Sequence, residues 1–209
     1  MTDDTRQRRV RALVRELNRR RKKQALKADI LCNDLLTAQR AFVGQLREIA
    51  FAAAFYKTLI GPSDLHELMA AAAGLIRQQF PACGVAFFLR DEHGEQVSLF
   101  DSDRPVDPIR DSLEACLHGR LIDPVCAAGK PCTLDDLREL GMSAEPHWLR
   151  SISAVAVPLC RPPERIGFIF LYAPLGQPLA ARQTAALAGL APTLAKAIQA
   201  LQPAPTYPD

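Results

Sequence analysis

Six cysteines are the side chains with the most versatile chemistry in this chain of 209 residues. None of them forms the Cys-x-x-Cys spacing that structural zinc sites and redox-active dithiols favour. The run from Cys116 through His118 and Cys126 to Cys132 contains zinc-binding residue types, but it lacks the close pairs of such a site. The pattern therefore favours small buried thiols over a metal site. The cysteines are Cys32, Cys83, Cys116, Cys126, Cys132 and Cys160.

The four histidines form no catalytic arrangement with the other polar residues. His66 lies early in a predicted helix and His93 in a predicted hairpin turn, so we expect both to be solvated. His118 and His147 fall in an irregular stretch, where His147 beside Trp148 favours packing over haem ligation. The sequence has no Ser/His/Asp order, no G-x-G-x-x-G run and no Walker loop. We therefore predict that the protein is not an enzyme.

Composition bounds the class of protein. Hydrophobic residues make up 48% and charged residues 23%, which is typical of a globular chain. No apolar run approaches the roughly 20 residues of a membrane-spanning helix, so we expect no membrane segment. The sequence is charged from its third residue, and no apolar segment of a signal peptide follows. We expect a cytoplasmic protein with reduced cysteines.

Charge is distributed unevenly along the chain. Residues 1–27 hold eleven Lys/Arg and three Asp/Glu, whereas residues 28–209 hold fifteen and twenty. The basic run Arg19-Arg20-Arg21-Lys22-Lys23 invites a nucleic-acid interpretation, but base-reading residues are not interleaved with it. Large apolar residues do not face this run either, which argues against a membrane-surface helix. A solvated face is favoured, and a nucleic-acid adaptor stays open as an alternative.

Residues 1–60 are predicted to form one basic helix that pairs as a coiled coil. The segment is rich in helix formers, contains only Gly44 as a breaker, and ends at Gly61-Pro62. Apolar residues recur at steps of three and four, with one stutter near Phe42–Leu46. At 1.5 Å per residue such a helix would be ~80 Å long, more than its own domain could cover, so we expect a parallel homodimer rather than a helical hairpin. The predicted dimer seam is Leu31, Leu35, Phe42, Leu46, Ile49 and Tyr56.

Residues 61–202 are predicted to form an α+β domain, and residues 203–209 a flexible tail. Asp64 and Glu67 begin a helix that Pro81 ends. Short turns join predicted strands at 83–90 with 96–100, and at 152–160 with 165–172, so these pairs run antiparallel. The last two strands are apolar at consecutive positions, which is typical of a sheet covered on both faces. Further helices are expected at 108–117, 119–128, 135–141 and 178–201, with a short strand at 131–134.

Four segments resemble the GAF domain family, in order and at the usual spacing. Gly119–Pro131, followed by Thr133-Leu-Asp-Asp136, is similar to the family's glycine–helix–TGKP–strand–Asp pattern, with Ala128 where Thr is usual. Ile152–Leu159 resembles its SxLxVPL strand, Arg165–Leu171 its xxGVLxL strand, and the closing helix its last helix. The resemblance implies a GAF-like antiparallel sheet of five to six strands with helices on both faces, preceded by a long N-terminal helix.

The resemblance also implies a class of function. GAF domains bind small effectors, dimerise and relay signals along helices. We therefore expect a non-catalytic regulatory protein that senses a small molecule or binds another protein. Its output would come from a separate kinase, cyclase or transcription regulator. The NKFDE run of cyclic-nucleotide-binding members is missing, and Cys116-Leu-His118 is too wide for the Cys-His pair that attaches bilin.

A ligand pocket, if the domain has one, is expected between the sheet and the irregular stretch 102–150. Alternation along the strands and helices selects its candidate lining, although a fully packed interior is an equal alternative. The candidates are Phe87, Leu89, Leu121, Val125, Val155, Val157 and Phe168. A thiol-dependent GAF enzyme that reduces free methionine sulfoxide through Cys83, Cys116, Cys126 or Cys132 stays open as an alternative. The sequence names neither an effector nor a cofactor.

Overall fold

The computed structural model describes residues 3–81, 83–91, 94–100, 116–117, 121–142, 147–161, 164–177 and 179–202. The chain divides into two compact units, Met1–Arg47 and Glu48–Asp209. Helix α1 runs without interruption over Asp3–Thr58, which confirms the long N-terminal helix and excludes the hairpin alternative. It ends just before Gly61-Pro62, because proline lacks the N–H group that a continued helix needs. No helix in these ranges combines the length and apolarity needed to cross a membrane.

The second unit contains a sheet and the helices that cover it. Its elements are α2 Leu65–Gln79, β1 Gly84–Asp91, β2 Gly94–Phe100, α3 Ile122–Ala128, β3 Cys132–Thr133, α4 Leu134–Glu139, a 3₁₀ helix His147–Ser151, β4 Ile152–Arg161, β5 Glu164–Pro174 and α5 Ala181–Leu201. Cys116 and Leu117 are helical, and the rest of the predicted helix 108–117 lies outside the described residues. The predicted tail 203–209 also lies outside them.

The sheet has five strands in the order β2-β1-β5-β4-β3, and all neighbouring strands are antiparallel. Strand β5 is central, with Phe168 opposite Phe88 on one side and Ile169 opposite Val157 on the other. The turns between β1 and β2 and between β4 and β5 are too short for a parallel crossover, so they fix the antiparallel pairing. The predicted α+β fold is confirmed, at the lower end of the expected strand number.

Both faces of the sheet are buried, as the continuous apolar strands predicted. On one face Phe87, Ile169 and Leu171 pack against α2 and α5 in a first core cluster. On the other face Phe88, Phe168 and Phe170 pack against α3, α4 and the 3₁₀ helix in a second core cluster. From Val85 to Leu89 and from Phe168 to Tyr172 alternation therefore holds, but it separates two apolar faces rather than an apolar face from a polar one.

The last turns of α1 belong to the core of the second unit. Phe51 and Phe55 are buried in the first core cluster, and their ring centroids lie 5.8 Å apart. Arg182 of α5 donates a hydrogen bond to the carboxylate of Glu48, which raises the pKa of Arg182. The second compact unit therefore begins at Glu48 and includes the end of α1.

Candidate functional site

The sheet face covered by α3, α4 and the 3₁₀ helix presents a row of aromatic rings on β5. Phe168 stacks on Phe88 with ring centroids 4.7 Å apart, and Phe170 stacks on Tyr172 at 6.0 Å. The neighbouring strands place alanines beside these rings: Ala86 and Ala156 both lie opposite Phe170. Large side chains on the central strand thus fit between small ones on its neighbours. The face offers flat aromatic surfaces, which suit contact with an apolar or planar group.

Two glycines permit the close contacts of this face. A Cβ atom at Gly84 would lie 2.1 Å from the Tyr172 ring, so the ring covers the glycine directly. A Cβ atom at Gly167 would lie 1.9 Å from the backbone oxygen of Phe88 on the adjacent strand. Gly167 is the glycine of the strand motif singled out in the sequence. Its place in the pattern therefore has a steric cause, the close approach of β5 to β1.

Local hydrogen bonds shape the segment that covers this face. Gly129 ends α3 in the left-handed conformation with φ of 61°, which glycine adopts without strain. Thr133 then caps α4: the backbone N–H of Asp136 donates to Thr133 Oγ1 at 3.3 Å, and the Thr133 N–H donates to Asp136 Oδ2 at 2.7 Å. The Thr133 hydroxyl also donates to Asp136 Oδ2 at 2.6 Å, and this bond, together with the one from the Thr133 backbone N–H, lowers the pKa of Asp136. The Gly–strand–Asp pattern is thus explained as a helix end, a strand and a capping box.

A charged cluster lies at the edge of the same face. Both guanidinium nitrogens of Arg90 donate to the carboxylate of Asp123 at 3.2 Å, and Arg165 approaches the same carboxylate at 3.2 Å. Hydrogen bonds from Arg90 and then Arg165 lower the pKa of Asp123. The cluster joins the start of α3 to β1 and β5. All three side chains are about half exposed, so its contribution to stability is small.

Three buried thiols lie in the second core cluster. Burial raises the pKa of Cys116 and of Cys132, the latter also through the nearby carboxylate of Asp136. Burial, together with the neighbouring Cys160, raises the pKa of Cys126 to about 11. Its Sγ donates to the backbone oxygen of Gly167 at 3.3 Å. These three side chains therefore stay protonated at neutral pH, and none is an activated nucleophile.

Comparison with known proteins identifies the fold and the family. The sequence profile of the GAF domain matches residues 64–200, which is more than half of the chain. The chain belongs to the GAF domain family. No protein of curated function matches the chain significantly.

Solved GAF domains share the fold at low sequence identity. One, from a phosphoenolpyruvate-protein phosphotransferase of Coxiella burnetii, is 15% identical, with a TM-score of 0.53 over 74% of this chain and 94% of that one. Another, from the same kind of enzyme in Acinetobacter, is 13% identical, with a TM-score of 0.52 over 74% and 93%. A GAF domain/HD domain protein from Geobacter sulfurreducens is 17% identical, with a TM-score of 0.50 over 66% and 95%. At these identities the likeness establishes the fold alone.

The predicted pocket lining is divided between the two faces of the GAF sheet. Leu121, Val125 and Phe168 lie in the second core cluster, on the face that the irregular stretch covers. Phe87, Leu89 and Val157 lie in the first core cluster, and Val155 packs against it from partial burial. These four residues therefore do not line the face that the irregular stretch covers, in contrast to the prediction. The reason is strand register: Phe87 pairs with Ile169 and Phe88 with Phe168, so the two phenylalanines of β1 point to opposite faces.

The zinc-binding residue types of the run 116–132 form no metal-binding group within the described part of the chain. There, no three side chains among His, Cys, Asp and Glu lie close enough to hold a metal ion. Cys116, Cys126 and Cys132 share one core cluster, whereas Cys83 lies in the other and Cys32 is exposed on α1. His93 and His118 lie outside the described residues.

The predicted dimer seam lies on the exposed surface of α1 in both units. Leu31, Leu35, Phe42 and Leu46 are exposed in the first unit, with Phe42 at 60% exposure. Ile49 and Tyr56 are exposed in the second unit, at 65% and 46%. Each seam residue is therefore exposed within its own unit.

Sequence reasoning missed three arrangements of this GAF domain. Phe170 and Tyr172 were recoverable, because they follow Phe168 at the two-residue period of a strand and therefore share its face. The Arg90–Asp123–Arg165 cluster had no local signal, since its members lie on three different elements. The proximity of Cys126 and Cys160 had no local signal either, because the two residues lie on different elements.

Proposed function

We propose that this protein is a cytoplasmic, non-catalytic GAF regulator that forms a homodimer through α1. Its GAF domain binds a small effector or another protein, and a separate partner such as a kinase, a cyclase or a transcription regulator carries the output. Nucleic-acid binding through the basic run Arg19–Lys23 is an alternative, which binding that weakens steeply with added salt and with alanine substitutions in this run would support.

The observation that best supports the dimer is that the last turns of α1 have apolar residues on two opposite sides. On one side Phe51 and Phe55 are buried in the domain's own core. On the other side Ile49 and Tyr56 are exposed. A helix that needed only its own domain would bury one apolar stripe and expose a polar face. A second apolar stripe of large residues is typical of a helix that packs against a further partner.

The spacing of this second stripe favours another copy of α1 as that partner. The apolar steps of three and four are those of a coiled-coil seam, and they continue through Leu31, Leu35, Phe42 and Leu46 in the first unit. In a parallel pair each seam residue meets its own counterpart, so one sequence supplies both halves of the interface. The stutter near Phe42 lets the paired helices change rotation locally, which suits the relay of a signal.

The raised pKa values of the three buried thiols in the second core cluster favour a regulatory role over a reductase that attacks through one of them. Such a reductase needs an attacking thiolate of low pKa with a second thiol in reach. Burial raises the pKa of Cys116, Cys126 and Cys132 instead. We propose that an effector binds between the aromatic face formed by Phe88 and Phe168 and the helices that cover this face.

The dimer is tested by comparing two neighbouring substitutions that add the same charge. Phe42→Glu places a carboxylate in the seam, whereas Ala41→Glu places it one residue away, at an exposed position outside the stripe. We expect the wild type and Ala41→Glu to sediment as dimers, and Phe42→Glu as a monomer, because paired carboxylates in a seam must be desolvated. A wild-type protein that is monomeric at micromolar concentration would refute the dimer.

Effector binding is tested on the intact protein with a thermal-shift screen of small molecules. A ligand that binds only the folded state raises the melting temperature with its concentration. The structure of a complex then locates the ligand. A ligand bound on the α2–α5 side of the sheet would contradict the proposed face.

A further inference from the structure

Two thiols from different elements meet at one end of the second core cluster. Cys126 lies in α3 and is buried, and Cys160 lies near the end of β4 and is half-buried. Cys126 Sγ lies 3.9 Å from the backbone oxygen of Leu159, the residue that precedes Cys160. Both cysteine side chains pack in the same core cluster. The two side chains are therefore close together, although 33 residues separate them in the sequence.

The strand geometry explains why the thiols meet. The Sγ atom of Cys126 lies 3.3 Å from the backbone oxygen of Gly167 and 3.9 Å from that of Leu159. Leu159 and Gly167 are opposed in the pairing of β4 with β5, and the register shifts immediately after Leu159, at Cys160. Leu159 is buried on the α2–α5 face, so the next residue, Cys160, lies on the face of Cys126.

The other buried thiols make different contacts. Cys132 Sγ donates to the backbone oxygen of Lys130 at 3.4 Å, and Cys83 Sγ to that of Gly84 at 3.1 Å. Arg165 is the cross-strand partner of Cys160 and holds the carboxylate of Asp123 at 3.2 Å. Its positive charge favours thiolate formation at Cys126. The dithiol thus combines a buried thiol, a partly accessible thiol and a nearby cation.

We propose that Cys126 and Cys160 are a modification site for hydroperoxides, at which the two thiols form a reversible intramolecular disulfide. Cys160 is the thiol that an oxidant reaches, because it is the more exposed of the pair. Cys126 is the resolving thiol, because its Sγ lies 3.9 Å from the backbone oxygen of the residue before Cys160 and it packs in the same core cluster.

The reaction balances in two steps. In the first, the sulfur of Cys160 attacks the distal oxygen of a hydroperoxide, the O–O bond breaks, and Cys160 becomes a sulfenic acid while the peroxide leaves as an alcohol. In the second, the sulfur of Cys126 attacks the sulfenic sulfur, the S–O bond breaks, and the proton of Cys126 leaves with the hydroxyl group as water. The peroxide accepts the two electrons that the thiols lose. A small dithiol reductant reverses the bond by exchange.

The disulfide would tie α3 to β4 and close the loop between residues 126 and 160. Closing a loop restricts the unfolded chain, so the oxidised protein should melt at a higher temperature than the reduced one. It would also hold Val125 and its neighbours in α3 against the aromatic face. The proposal does not depend on the dimer or on an effector.

The test treats the intact, folded protein with tert-butyl hydroperoxide, blocks the remaining thiols with N-ethylmaleimide, and maps tryptic peptides without reduction. We expect a linked pair of peptides 121–138 and 151–165, with a mass loss of about 2 Da that dithiothreitol reverses. Because the first peptide holds both Cys126 and Cys132, variants identify the partner. Cys132→Ser should retain the link, and Cys126→Ser and Cys160→Ser should each abolish it.

Several outcomes would overturn the proposal. They are a link that survives Cys126→Ser, a link that forms only in denaturant, and a Cys160 that oxidises to sulfinic acid while Cys126 stays reduced. Circular dichroism checks that each variant is folded. If Cys126→Ser fails to fold, the other two variants test the proposal. Folded Cys160→Ser should lose the link, and Cys132→Ser should retain it.

Discussion

Position 167 shows how one residue type can be required by the path of the backbone. Strand β5 passes so close to β1 at Gly167 that a side chain there would collide with the backbone oxygen of Phe88, which cannot move without breaking the strand pairing. Gly189, on the exposed side of α5, has open space around it. The same substitution should therefore have opposite effects at the two positions.

We predict that Gly167→Ala lowers the free energy of unfolding by at least about 2 kcal/mol, through strand displacement and backbone strain. The matched variant Gly189→Ala should raise it by up to ~1 kcal/mol, because alanine is the better helix former. Urea unfolding followed by circular dichroism measures both. Equal stabilities of the two variants would contradict the close approach of β5 to β1.

Asp123 provides a prediction about pH. Its pKa is lower in the folded protein than its ordinary value, through hydrogen bonds from Arg90 and Arg165. The stabilisation is therefore present above the pKa of the unfolded state and is lost as the pH falls through the folded pKa. Asp123→Asn should reduce the free energy of unfolding at pH 7 by less than about 1 kcal/mol, since the pair is half exposed.

The difference between Asp123→Asn and the wild type should shrink as the pH is lowered from 6 to 3, and it should shrink with added salt. Unfolding in urea at several pH values measures it. Asp135→Asn, the same charge change on an exposed side chain of α4, serves as a control and should change stability by less than ~0.5 kcal/mol at pH 7. A constant difference across this pH range would argue against the Arg90–Asp123–Arg165 cluster.

At the scale of elements, the end of α1 is a structural part of the GAF domain. Phe55 is fully buried and contacts Phe51 inside the first core cluster, whereas Lys57, two residues later, is exposed. Phe55→Ala should lower the free energy of unfolding by roughly 3–5 kcal/mol, because it leaves a cavity in the core. Lys57→Ala should change it by less than ~1 kcal/mol. Chemical denaturation of the two variants, monitored by tryptophan fluorescence, compares them.

A small effect of Phe55→Ala would mean that α1 is only a tether, with the domain beginning near residue 61. A large effect has a practical consequence for dissecting the protein. A chain that starts at Gly61 would lose both buried phenylalanines of α1, so its behaviour would not report on the coiled coil alone.

At the scale of the whole molecule, the proposed dimer links stability to concentration. When folding and association are coupled, the melting temperature rises with protein concentration. The wild type should show this dependence and Phe42→Glu should lose it, while Ala41→Glu keeps it. Differential scanning calorimetry at concentrations differing by about tenfold measures the effect. A melting temperature independent of concentration in all three proteins would remove the basis for the seam.

The sequence by itself determined the elements and the class of fold. The long helix follows from helix-forming residues that continue up to Gly61-Pro62, and the doubly covered sheet follows from the apolar runs within Ile152–Arg161 and Glu164–Pro174. The short turns fixed the antiparallel pairing. These features are local, so residue type and spacing specify them.

Only the tertiary structure decided which residues share a face. Phe87 and Phe88 are equally apolar, and the register of β1 against β5 alone assigns one to each core cluster. The same holds for Cys126 and Cys160, which long-range packing brings together from positions far apart in the chain. The sequence likewise did not reveal that Phe51 and Phe55 are buried, because the other apolar stripe of α1 has the more regular spacing. Contacts between distant segments depend on how elements dock, which the spacing along a single element does not encode.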